Sequence, residues 1–254
     1  MTNSPLTGRA VLVTGASSGI GRAIALAVAR AGADVAMTFR TNEEGARAVE
    51  RDILALGRRA LVRQLDLSND ESVRALAAAV SRGLGRLDVW INNAGADILT
   101  GSAASLPKTE KLDLLLAVDL RGTMLASWEA AAFFGSQPDG GVIINMSWDH
   151  VLTGMAGTNP QLFAAVKGGV MAFSKSLARS VAPRVRVNVI APGWIETSFG
   201  AGMDERTHRE VAESTPLKRW GTPEDVAGAA VFLASPAASF LTGETIYVGG
   251  GVVM

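Results

Sequence analysis

The chain has 254 residues, with Lys+Arg and Asp+Glu balanced at 24 each. That is long enough for one domain with a substantial core and too evenly charged to offer a polyanion a broad basic face, so nucleic acid is not an expected partner. It has no cysteine and only two histidines, which excludes disulfides, thiolate nucleophiles and cysteine-bound metals, disfavours any metal site and suits a reducing cytoplasm.

The first residues, Met1-Thr-Asn-Ser-Pro-Leu-Thr-Gly8, lack the charged and apolar regions of a secretory leader. No apolar run reaches the roughly 18 residues of a membrane span, so a cytoplasmic protein without a membrane partner is expected. Short apolar, β-branched runs then alternate with helical patterns. Strands are predicted at Arg9–Thr14, Asp34–Phe39, Ala60–Leu65, Leu87–Asn92, Gly141–Met146 and Val185–Ile190, with a last one around Tyr247. Helices are predicted at Ile20–Ala31, Glu43–Leu56, Asp70–Arg82, Lys111–Phe134 and Leu162–Val181. This alternation predicts an α/β fold, a Rossmann-type doubly wound parallel sheet of about seven strands with helices on both faces and a ligand crevice beyond the strands' carboxyl ends. No repeat or low-complexity linker divides the chain, so residues 1–254 read as one domain.

The first strand runs into Thr14-Gly-Ala-Ser-Ser-Gly-Ile-Gly21. Gly15, Gly19 and Gly21 permit a tight turn and a close approach of backbone to ligand, and a helix opening near Gly19 aims unpaired N–H groups at an anion. Together with Ser17, Ser18 and Ile20 this turn is a seat for a pyrophosphate. The second strand ends Thr38-Phe-Arg-Thr41, and Arg40 stands where an NAD-selective site offers a carboxylate to the ribose. A guanidinium there holds a 2′-phosphate, with Ser17 and Ser18 to assist, so NADP(H) is expected over NAD(H). The alternative for Arg40 is a solvated charge capping the next helix.

The spacing Gly-x-x-x-Gly-x-Gly, together with Asn92-Asn-Ala-Gly95, Pro192-Gly193 and the segment from Gly221-Thr-Pro-Glu-Asp-Val226 to Gly243, resembles the short-chain dehydrogenase/reductase family over nearly the whole chain. The resemblance implies that Asp66 accepts from the adenine amino group with Leu67 beside it, and that Asn93, Ala94 and Gly95 lie against adenine and its ribose. It implies that Pro192, Gly193, Ile195 and Thr197 face the nicotinamide carboxamide and that Lys167 holds the nicotinamide ribose. In the alternative reading Asp66 only caps a helix starting near Ser68 and Asn92 braces its turn. A small-molecule substrate is expected under a lid at about residues 194–215, where Ser198 to Thr215 is polar and weakly periodic.

In the family a tyrosine phenol moves the proton, a lysine one helical turn later supports it, a serine after the fifth strand binds the substrate oxygen and an asparagine completes the set. Here Phe163-Ala-Ala-Val-Lys167 keeps Lys167 without the phenol. In Ile143-Ile-Asn-Met-Ser147-Trp-Asp-His150, Trp148 takes the place of the catalytic serine and Ser147 matches the serine before it, while Asp119 replaces the asparagine. The single tyrosine, Tyr247, belongs to the last strand. A non-standard proton donor is therefore expected, and the expected catalytic residues are Lys167, Ser147, His150 and Asp119. His150 leads because imidazole titrates near neutral pH, with Asp149 to orient it; Asp119 pairs with Lys167 or relays protons; Ser147 is a substitute. Trp148 and Phe163 point to an apolar, aromatic pocket that Trp194, Met203 and His208 extend.

The same departures also fit a dinucleotide-binding protein that does not turn over. A lyase or dehalogenase ranks last, because the open glycine turn keeps the cofactor seat. The alanine-rich helices at 111–134 and 162–181 carry apolar residues on more than one face, so a homotetramer or homodimer is expected. In the C-terminal segment that the resemblance places at an interface, Val248-Gly-Gly-Gly251 lacks the family's aspartate before the last two glycines.

Overall fold

The computed structural model describes residues 4–253. Its strands are β1 (Ala10–Val13), β2 (Asp34–Phe39), β3 (Ala60–Gln64), β4 (Val89–Asn92), β5 (Gly141–Met146), β6 (Val185–Pro192) and β7 (Thr245–Val248). They form one seven-stranded sheet in the order β3-β2-β1-β4-β5-β6-β7, with every neighbouring pair parallel. The helices are α1 (Gly19–Arg30), α2 (Glu43–Ala55), α3 (Asp70–Arg74), α4 (Leu76–Leu84), α5 (Lys108–Leu115), α6 (Thr123–Gly135), α7 (Thr158–Val181), α8 (Ser198–Ala201), α9 (Glu205–Ser214) and α10 (Pro223–Ala234). None of the described helices is long and apolar enough to cross a membrane.

The central strands are apolar throughout because both faces are covered. Val11 and Val13 of β1, with Val89 and Ile91 of β4, pack in the core under α1, α2 and α10. The alternate residues Ala10, Leu12 and Trp90 pack in the opposite core, under α4, α6 and α7. This is the period-2 consequence of a strand buried on two sides. The chain lays β1, β2 and β3 outward in one direction and then returns to set β4 against the other edge of β1. The strand order reverses there, and the crevice opens beyond the carboxyl ends of β1 and β4.

The predicted helix 111–134 lies within one unbroken helical run from 108 to 135, but it is not α-helical throughout. Leu116–Gly122, between α5 and α6, is a π-helical stretch. Such a stretch inserts extra backbone into a helix and re-aims a side chain, here that of Asp119, which is buried. The predicted helix 70–82 is divided into α3 and α4. The irregular lid expected from Ser198 to Thr215 contains α8 and α9 instead. The Asp204 side chain accepts from the Thr207 N–H and starts α9, but no α9 residue is buried. Without a buried face the sequence carries no apolar stripe to reveal the helix.

Candidate active site

The turn after β1 is shaped by its glycines and by the end of β4. Gly19 has φ +53°, a left-handed conformation that side chains avoid. A Cβ on Gly21 would sit 2.2 Å from the Gly15 carbonyl oxygen and 2.4 Å from Nδ2 of Asn93. The Thr14 hydroxyl oxygen accepts the N–H groups of Asn93 and Ala94, each at 3.0 Å. The Asn93 amide donates to the carbonyls of Thr14 and Gly15, also at 3.0 Å. The glycine turn is thus stitched to the loop after β4. Ser18 at the N-cap of α1 makes no side-chain cap, and the helix has no acidic residue in its first turn. Its orphan N–H groups and positive dipole end are left for an anion.

Beside this helix end a cavity of about 400 Å³ gathers most of the expected cofactor residues: Gly15, Ser17, Ser18, Ile20, Gly21, Arg40, Asp66, Leu67, Asn93, Ala94, Gly95 and Thr197. Arg40 is exposed and has no ion-pair partner among the described residues. The neighbouring helix α2 is capped by Asn42, whose side chain accepts from the Gly45 N–H at 2.9 Å, so helix capping does not occupy Arg40. Asp66 lines the cavity and also braces its own turn, accepting from the Ser68 hydroxyl at 2.6 Å and the Ser68 N–H at 2.9 Å. Those bonds, the hydroxyl's first, hold its carboxyl below the usual range. Asn92 points elsewhere, into a buried network with Trp90, Ser127 and Asn145. An uncapped helix end, glycines that let the backbone come close and an exposed guanidinium fit a phosphorylated dinucleotide.

A second cavity, of about 500 Å³, continues from the first and shares Ile20, Asn93 and Thr197 with it. Its floor holds Pro192, Gly193 and Ile195, on a segment clasped by hydrogen bonds from Gly221 N–H to Trp194 oxygen and from Glu196 N–H to Gly221 oxygen. Lys167 and Ser147 line it. The Lys167 ammonium lies 2.8 Å from Oδ2 of Asp119, and Oδ1 of Asp119 accepts the Ala96 N–H at 2.7 Å. Asp119 therefore sits behind Lys167 as its buried counterion. The Ser147 hydroxyl donates to the Lys167 carbonyl oxygen at 2.9 Å, which commits its proton to α7.

His150 is not part of the cavity wall. Its ring stacks on Trp148, with centroids 5.1 Å apart, and Trp148 is the residue that lines the cavity. Asp149, its neighbour in sequence, does orient it, with Oδ1 2.6 Å from Nδ1 of His150. Asp149 is fully buried and its Oδ2 has no hydrogen-bond partner. Burial pushes its carboxyl above the usual range, against the opposing pull of the His150 hydrogen bond.

Of the three further lining residues expected, Trp194 lines the cavity, whereas Met203 and His208 line a separate shallow hollow with Glu196. Nothing in the sequence signalled Leu99, Met155, Asn159, Pro160 or Trp220, which with Met146 at the end of β5 complete the wall. They come from separate loops and from the start of α7, and nothing in their spacing ties them together. Tyr247 on β7 lines neither cavity.

A family model described as Enoyl-(Acyl carrier protein) reductase matches residues 15–253. The 3-oxoacyl-[acyl-carrier-protein] reductase of Synechocystis sp. PCC 6803 is 37% identical over 253 residues, covering 98% of each chain. The 3beta-hydroxysteroid dehydrogenase 1 of Eggerthella lenta is 36% identical over 259 residues, covering 98% of this chain and 95% of the relative's. Among solved structures, a blue fluorescent protein from a metagenomic library in complex with NADPH superposes with a TM-score of 0.87 at 33% identity, over 98% of this chain and all of that one. The chain belongs to the short-chain dehydrogenase/reductase family of oxidoreductases.

Proposed function

We propose that the protein is an NADP(H)-dependent oxidoreductase in which the ammonium of Lys167, in place of a phenol, stabilises the substrate oxygen by charge and a hydrogen bond. The observation that carries this reading is the continuity of the two cavities, which makes one groove from the uncapped end of α1 to Lys167. Bound there, the nucleotide supplies or accepts a hydride. Gly15, Ser17, Ser18, Gly19 and Gly21 hold its pyrophosphate, Arg40 its 2′-phosphate, and Asp66 to Leu67 with Asn93 to Gly95 its adenosine. Pro192, Gly193, Ile195 and Thr197 hold the nicotinamide end.

Phe163, one turn before Lys167 on α7, lines the cavity without a titratable group, and Trp148 fills the wall beside it. Among the described lining residues Lys167 is the charged side chain, and Asp119 fixes its position. A cation held beside a developing oxyanion lowers the barrier by charge, without a matched proton donor. This suits a conjugated carbonyl, whose enolate, held by the ammonium, takes its proton from water after the hydride has moved. His150 then acts through Trp148, which it backs, rather than by touching substrate.

NADPH is expected to bind about tenfold more tightly than NADH in a fluorescence titration, the worth of one charge-assisted guanidinium–phosphate contact at an exposed site. Arg40→Ala brings the two affinities within about twofold of each other. Equal affinities in the unmodified protein would overturn the NADP assignment.

A dimer or tetramer is part of the proposal. Trp128 on α6 is 49% exposed and stands edge-on to Phe173 of α7, with centroids 5.7 Å apart. An apolar face of that kind fits a second copy of this chain. Trp128→Glu is expected to lower the sedimenting mass to that of a smaller assembly. An unchanged mass would remove this face as the interface.

A further inference from the structure

The end of the second cavity beyond Lys167 is walled by four aromatic side chains, Trp148, Phe163, Trp194 and Trp220. Trp148 and Phe163 lie 6.4 Å apart at 58°, and Trp194 and Trp220 lie 5.4 Å apart at 65°. Two of these rings are held from behind. Trp148 stacks on His150, whose ring is pinned by Asp149. Trp220 stacks on His208 at 4.7 Å and 9°, and its indole N–H donates to the His208 carbonyl oxygen at 2.9 Å. Rings fixed in this way have little conformational entropy left to lose when a ligand packs on them. Met146 and Met155 add thioethers to the same wall.

The polar inventory of this end is short. Leu99, Met155 and Pro160 are apolar, and Asn159 is the one amide beyond Lys167 among the described lining residues. Among the described residues no carboxylate lines the cavity to receive a cation, and Lys167 is already paired with Asp119. A phosphorylated or carboxylated carrier arm finds no second cation there.

We propose that this end of the cavity is built to stack a neutral, flat, aryl or fused-ring carbonyl compound, in preference to an acyl chain presented as a thioester. The inference rests on the oxidoreductase reading and names the substrate class of its site. Area burial alone would reward a flexible alkyl chain as much as a ring system. Ring-on-ring contact adds a gain beyond area that only a flat π-system collects.

The test is a calorimetric titration of the NADPH-loaded protein with three probes: 1-tetralone, the open-chain ketone 2-decanone of equal carbon number, and the acetoacetyl thioester of N-acetylcysteamine. The fused-ring ketone is expected to bind at least about fivefold more tightly than either of the others. Trp148→Leu keeps an apolar side chain and removes the ring, so it is expected to weaken 1-tetralone about tenfold and 2-decanone by less than twofold. Equal or tighter binding of the open-chain ketone or the thioester, no binding of any probe, or equal losses in the variant would each overturn the proposal. The comparison of probes on the unmodified protein needs no variant to fold. It is repeated without nucleotide, so failure to bind NADPH sinks the functional reading while the order of the probes still decides this one.

Discussion

Lys167→Met is expected to lower Tm by roughly 10 °C and to cut reduction of a conjugated ketone by about 10²-fold or more. Both effects have one origin. Asp119 is almost completely buried, and its charge is balanced by the Lys167 ammonium at 2.8 Å. Removing one partner of a buried pair leaves an uncompensated charge, at a cost of about 3 kcal/mol or more. The Ala96 N–H still donates to Asp119 and limits the loss without supplying the missing charge. Adding Asp119→Asn to Lys167→Met removes the stranded carboxylate and keeps an acceptor for Ala96, so most of the Tm is expected to return while activity stays low. Calorimetry and steady-state rates read the two effects separately. Full activity in Lys167→Met would refute the role given to the ammonium.

The second large effect runs in the opposite direction. Phe163→Tyr combined with Trp148→Ser is expected to raise NADPH-dependent reduction of an unconjugated ketone by about 10²-fold or more, the contribution of a positioned proton donor. Phe163 lies one helical turn from Lys167, and both line the cavity, so a phenol placed there shares its face with the ammonium. Each single substitution should give much less, because groups that act on one oxygen are not additive. Trp148→Ser also removes the ring stacked on His150, so stability should be measured alongside, with a loss of about 2 kcal/mol expected from the space opened. An unmodified protein that already reduces plain ketones as fast as the double variant would show that its own residues supply the proton efficiently.

The parts of the cofactor groove that were legible in the sequence are those governed by local backbone rules. Glycines at 15, 19 and 21 between an apolar strand and an alanine-rich helix have few other readings, and the alternation of strand and helix patterns left one sheet architecture. The single tyrosine and the residue types Asp119, Trp148 and Phe163 were likewise visible in the sequence. His150 shows where such reading stops. Its position after β5 placed it at the crevice, but which way a loop side chain turns depends on what packs against it, and here Trp148 stands between it and the cavity. The π-helical turn that aims Asp119 at Lys167 has no periodicity of its own to announce it, and α9 hides because nothing on it is buried.

By itself the sequence determined that this chain winds a parallel sheet around a glycine-rich turn, offers a guanidinium at the second strand and lacks a phenol one turn before its lysine, because those properties reside in residue type and short-range spacing. Only the tertiary structure decided that Asp119 is the counterion of Lys167 and that Asp149 is sealed in with one oxygen unpartnered. It also decided that rings from residues 148, 163, 194 and 220 converge on one wall. These are meetings of side chains distant along the chain, and the packing of helices and loops over the sheet brings them together.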